Sequence, residues 1–102
     1  MSILKTTHAG SEALQITDIT TILDELIKHG YIFDTFLYCW TCTTTPNMPK
    51  LIVQENSFSS QSCLFTIYVY NEISSAYTIS YTIISMSDLF NFIKDLQTIC
   101  QS

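Results

Sequence analysis

A chain of 102 residues is long enough for one domain with a modest core of its own. Apolar residues make up 47% of it, too many for a disordered segment, while only 13% are charged. Four lysines against nine acids leave 4 − 9 = −5, with no arginine at all, which excludes phosphate-backbone binding as a main role and so excludes a nucleic-acid partner.

Residues 3–7 and 12–16 read as two short strands around Gly10, which suits a tight turn. A helix is expected over residues 18–29, with Ile19, Ile22, Leu23, Leu26 and Ile27 as its buried stripe. Lys28 and His29 fall in its last turn and Gly30 just beyond, the expected order at a helix C-terminus.

From Tyr31 to Thr45 the chain is aromatic and β-branched, without helix punctuation, and predicts one strand over residues 32–43. Strict alternation would put Phe36, Tyr38, Trp40 and Cys42 on one face and Phe33, Leu37 and Cys39 on the other. Pro46 and Pro49 end that strand, and a short strand follows over residues 51–55. Residues 56–62 read as a polar loop. Strands over 63–70 and 76–84 flank a hairpin loop at 71–75, and the second of them alternates Tyr77, Ile79, Tyr81, Ile83 with Thr78, Ser80, Thr82. A second amphipathic helix is expected over residues 88–100.

The two helical segments read alike. Thr17-Asp18-Ile19, Ile22-Leu23 and Glu25-Leu26 match Ser87-Asp88-Leu89, Phe92-Ile93 and Asp95-Leu96 at a fixed offset (87 − 17 = 70). Each begins with a hydroxyl residue able to cap a helix and an aspartate suited to the helix N-terminus. The expected architecture is a single α+β domain. Residues 1–30 and 62–102 form two ββα-like units, a possible internal duplication, residues 31–56 form a bridging hairpin, and the sheet is mostly antiparallel. A pseudo-twofold between such units would leave a groove.

Cys39-Trp40-Thr41-Cys42 is the one motif-like string. A redox C-x-x-C needs its first thiol at a helix N-terminus, and here Thr43-Thr44-Thr45-Pro46 follows instead. In a strand, positions i and i+3 point to opposite faces and cannot share a metal. Zinc would need two more ligands from Cys63, Cys100, His8 or His29, none at ligand spacing. A redox or zinc role for Cys39 and Cys42 stands as a minor reading. The expectation is no metal and no cofactor. Two glycines cannot build a phosphate loop, and no Gly-x-Ser-x-Gly string occurs, so the chain reads as a non-enzyme without catalytic residues.

The face Phe36, Tyr38, Trp40 is either core beneath a helix or a binding strip, since Tyr, Phe and Trp are enriched at interfaces. The leading expectation is a protein–protein interaction module holding an extended peptide or sheet edge in the groove between the units, with those three residues as the site. The alternative is an acidic inhibitor or immunity-type protein covering a basic, nucleic-acid-binding surface with Asp18, Asp24, Glu25 and Asp34. No apolar run of signal type opens the chain, and residues 73–87 alternate like strands. A soluble, intracellular protein with no membrane partner is therefore expected.

A chain without arginine, rich in Ile, Thr, Ser, Tyr and Asn and carrying TDIxxIL (residues 17–23) and SDLxxFI (residues 87–93), resembles small uncharacterised proteins of archaeal filamentous viruses. The resemblance implies a viral protein acting in the host cytoplasm on a viral or host partner, and it carries over no catalytic motif.

Overall fold

The computed structural model describes residues 14–59 and 62–101, with side chains at 14–56 and 64–98. The chain runs from helix α1 (Ile19–Lys28) through strands β1 (Tyr31–Asp34), β2 (Cys39–Cys42), β3 (Leu51–Ser59), β4 (Ser62–Asn71) and β5 (Ala76–Ile83) to helix α2 (Met86–Gln101). The strands form one antiparallel sheet in chain order, β1-β2-β3-β4-β5. The α+β class expected from the sequence is what the chain adopts. The strand expected at residues 3–7 lies outside the described residues, as do residues 12–13 of the strand expected at 12–16, whose described part forms a single bridge, Gln15 opposite Ser85.

Both helices bury their stripes on one face of this sheet. Ile22 and Leu26 of α1 and Leu89, Phe92, Ile93 and Leu96 of α2 form one core with Tyr31, Leu51, Phe65, Ile67, Val69 and Ile83. Ile22 and Leu26 are the repeat counterparts of Phe92 and Leu96, so the two copies of the motif bury matching positions (92 − 22 = 70 and 96 − 26 = 70). Pairing fixes which strand residues share that face. Leu51 stands opposite both Trp40 and Val69, Val69 opposite Ile79, and Ile67 opposite Tyr81. Tyr81 meets Phe92 edge-on at 4.8 Å. The Tyr31 phenol reaches out of the core to donate to the Pro49 carbonyl at 2.8 Å, tying the β2–β3 connection to β1.

Helix ends follow local chemistry, with two shifts from expectation. Asp18 itself, rather than Thr17, caps α1: its Oδ1 accepts from the Thr20 amide at 3.0 Å. That bond holds the Asp18 carboxyl below the ordinary carboxylate range. Helix α2 begins at Met86, two residues before the expected Asp88. Ser85 Oγ accepts from the Asp88 amide at 3.3 Å, while Asp88 Oδ2 accepts from the Ser85 amide at 3.1 Å, a capping box. Gly30 follows α1 with φ of 91°, and a Cβ there would collide with Thr44 Oγ1. Ile27, expected in the buried stripe, is 54% exposed because Ile22 and Leu26 alone meet the sheet squarely.

Three strand expectations are corrected. The single strand over 32–43 is a hairpin, β1 and β2, because Asp34 turns the chain. Its Oδ1 accepts from the amides of Phe36 at 2.9 Å and Leu37 at 3.0 Å, and its carbonyl accepts from the Tyr38 amide at 2.7 Å. The described residues of the loop expected over 56–62 are strand instead: β3 continues to Ser59 and β4 begins at Ser62. Tyr77 leaves the face of Ile79 and Tyr81, since β5 carries an extra residue, Thr78, between the pairs Val69–Ile79 and Tyr70–Tyr77.

Candidate functional site

The β1–β2 hairpin gathers three exposed aromatic side chains, Phe33, Phe36 and Tyr38. Its turn, residues 35–38, is closed by the Asp34 carboxylate described above, and Tyr38 is held at φ of 59°, left-handed backbone that an L side chain enters at a cost of about 1–2 kcal/mol. Phe36 at the tip is 95% exposed, Tyr38 is 77% exposed, and Leu37 is half-exposed beside them. Phe33 and Trp40 face each other across the hairpin on the helix side of the sheet, with ring centroids 5.4 Å apart. Phe33 also meets Tyr38 at 5.7 Å. One stack therefore runs from Trp40, packed against the core, through Phe33 to Tyr38 in solvent.

Two of the three residues singled out from sequence, Phe36 and Tyr38, are thus exposed on one turn. Trp40 is partly buried and supports them from beneath. Phe33, which strict alternation placed on the opposite face, belongs with them. The hairpin reverses the chain between Phe33 and Trp40, and one misplaced turn was enough to misassign it. Asp34 followed by Thr35 is the sequence signal that could have revealed the turn.

The helix-free face carries a second aromatic group. Lys50 Nζ sits 4.4 Å over the Tyr70 ring, and Tyr70 meets Tyr77 edge-on at 5.1 Å. Burial, then a hydrogen bond with Cys39, pushes the Tyr77 phenol up to about 12. Cys39 is 2% exposed. Cys42, three residues on, packs against the core on the other face and its Sγ lies 3.6 Å from the His29 carbonyl. The two thiols of C-x-x-C therefore point away from each other, and neither a shared metal nor a mutual disulfide suits this strand. His8 lies outside the described residues, as do the side chains of Cys63 and Cys100.

Of the four acids of the alternative reading, Asp24 is exposed on α1 and the other three are local fixtures. Asp18 and Asp34 hold backbone amides, and Glu25 is shared between Lys28 at 3.0 Å and His29 at 3.9 Å. A cleft of about 280 Å³ opens between Pro49, Val69, Ile79 and the turn at 71–73. Its exposed lining is chiefly apolar, with Asn47, Asn71 and the carboxylate Glu72 as its polar side chains beside Tyr70. No helix is long and apolar enough to cross a membrane among the described residues.

No family model, curated protein or solved structure matches the chain, so the functional argument rests on its own geometry.

Proposed function

We propose that this chain is a non-enzymatic protein–protein interaction module that binds an extended apolar segment of a partner protein through the β1–β2 hairpin. The observation that carries the reading is the solvent-facing set Phe36, Leu37, Tyr38 and Phe33, with the Phe33 and Tyr38 rings in contact, on a hairpin whose turn is locked by Asp34. Aromatic side chains give large contact area for little rotamer entropy, and a turn already fixed by hydrogen bonds loses little more on binding. Trp40 supplies the rigid floor from which Phe33 and Tyr38 project. Asp34 is spent on the turn amides, so recognition there is apolar and tolerant of salt.

The acidic-inhibitor reading draws less support, since Glu25 is ion-paired within α1 and Asp18 and Asp34 satisfy backbone donors. The test is binding to a library of extended peptides at low and high salt, with Phe36→Ser and Tyr38→Ser as variants. Salt-insensitive binding to apolar peptides, weakened about tenfold or more by either substitution, is expected. Peptide binding untouched by both substitutions, or capture only of basic ligands at low salt, overturns the reading.

A further inference from the structure

The far edge of the sheet differs from the hairpin edge. Strand β1 has four residues and ends in Asp34, a short edge closed by a charge. Strand β5 has eight residues, Ala-Tyr-Thr-Ile-Ser-Tyr-Thr-Ile, without a charge or a proline, and among the described residues no strand lies beyond it. A bulge at Thr78 marks its start and the Gln15–Ser85 bridge lies just past its end, so among the described residues the stretch from Ile79 to Ile83 between them is a regular ladder edge.

The sequence of that stretch is complementary to itself. Tyr77-Thr78-Ile79 and Tyr81-Thr82-Ile83 repeat about Ser80, and from Ile79 onward hydroxyl and apolar residues alternate strictly. A twofold axis normal to the sheet makes facing residues share a face. Centred on Tyr81, it puts Ile79 opposite Ile83 and Ser80 opposite Thr82. Apolar meets apolar and hydroxyl meets hydroxyl, the favourable cross-strand pairs, and no charge opposes another. In a chain of net charge −5, a neutral seam of this length is where two copies can meet without like-charge repulsion. Exposed apolar side chains also occur on and beside the seam. Ile79 is 43% exposed on the strand, Ile84 41% just after it, and Phe90 45% in the second turn of α2.

We infer that β5 is a self-association surface: two copies join their fifth strands antiparallel, making one continuous sheet. Because β1 and β5 are opposite ends of the strand order, such a dimer carries its two β1–β2 hairpins at its far ends. It would present two apolar tips to a partner with repeated sites, raising avidity without a new contact. The association stands independently of what the hairpins bind.

Ser80 is exposed, so charging it leaves the core intact. Sedimentation equilibrium on the full chain, on Ser80→Lys, on Ser80→Asp and on their equimolar mixture tests the inference, with circular dichroism confirming that each variant is folded. The wild type is expected to dimerise. Each charged variant should self-associate about tenfold more weakly, and the mixture should regain the wild-type dimer because the introduced Lys then lies diagonally across the seam from the introduced Asp, within reach of a long side chain. A wild type that stays monomeric overturns the inference, as does a dimer indifferent to both charges or one the mixture fails to restore. Phe36→Ser should leave the dimer intact while abolishing peptide binding, so failure of one proposal is distinguishable from failure of the other.

Discussion

Gln15 stands directly opposite Ser85 in an antiparallel bridge that joins the segments leading into the two helices. The Ile16 amide donates to the Ile84 carbonyl at 2.8 Å, and the Met86 amide to the Leu14 carbonyl at 2.8 Å. The two bonds are reciprocal, as in any antiparallel bridge, so a local twofold axis passes between Gln15 and Ser85. The symmetry stops there. Helix α2 has already begun at Met86, where its counterpart Ile16 is still extended, and the five strands follow one another in a single meander.

The bridge links the two helix starts mechanically, which gives a first prediction. Ser85→Ala removes the acceptor for the Asp88 amide and should cost about 1 kcal/mol. Asp88→Ala strips the acceptor from both the Ile84 and Ser85 amides and should cost about 2 kcal/mol. In each, native-state hydrogen exchange should quicken at Met86 and also at Ile16, across the bridge. Faster exchange confined to α2 would show that the two helix starts open separately.

How far the sequence could be read depended on how its turns are written. Gly30 and the Lys28-His29 ending made α1 legible to within a residue, and the alternation from Ile79 to Ile83 made β5 legible as a strand with one wet face. The two four-residue hairpin loops tell the rest. Asn71 Oδ1 accepts from the amides of Ile73 and Ser74 and Ser75 is left-handed at φ of 56°, the same device as Asp34, Phe36, Leu37 and Tyr38. The first was visible because it reads Glu-Ile-Ser-Ser. The second was hidden because Thr-Phe-Leu-Tyr has strand propensity, and a single Asp side chain overrides that propensity only once the chain has turned. The exposure of Phe36 and Tyr38 was open from sequence as one of two readings. The partnership of Phe33 with Trp40 was out of reach without the turn.

Tyr38 puts stability and function in opposition. Glycine enters the left-handed region freely, so Tyr38→Gly should relieve up to about 1 kcal/mol of backbone strain, offset in part by the greater freedom of glycine in the unfolded chain and by the lost contact with Phe33. Thermal unfolding should show the variant equal to or more stable than wild type. The peptide-binding assay should show it weaker. A Tyr38→Gly chain that binds as well as wild type would remove Tyr38 from the site.

Tyr77 sets an alkaline limit. Its phenol ionises near 10 in the unfolded chain and at about 12 when folded, because burial and then Cys39 favour the neutral form. A raised acid pKa contributes stability that is fully present below 10 and is lost as pH rises toward 12. Denaturant midpoints should therefore fall across that window, and phenolate absorbance should reveal one tyrosine titrating last. Tyr77→Phe should flatten the fall, leaving a smaller one from Tyr81, whose phenol is also raised, first by burial and then by Asp95. An unchanged slope in Tyr77→Phe would place the alkaline sensitivity elsewhere.

The two thiols of Cys39-Trp40-Thr41-Cys42 should differ in reactivity. Cys39 is sealed in, and an alkylating agent reaches it only when the strand opens. Cys42 lies at the end of β2, where the chain bends through Thr43-Thr44-Thr45 and brings backbone amides back toward its sulfur. Burial opposes ionisation there, and the 3.6 Å approach to the His29 carbonyl favours the protonated thiol. Hydrogen bonds from Thr45 and Thr44 together outweigh both and hold the Cys42 thiol below its ordinary value of 9.0. Iodoacetamide labelling followed by peptide mass spectrometry should find Cys42 modified before Cys39, with a pH–rate midpoint below 9.0. Thr44→Val removes one hydroxyl donor and should move that midpoint upward while leaving Cys39 slow. Equal rates at the two positions would mean that β2 frays faster than the reagent reacts, and a midpoint unmoved by Thr44→Val would assign the effect to the backbone amides and the Thr45 hydroxyl.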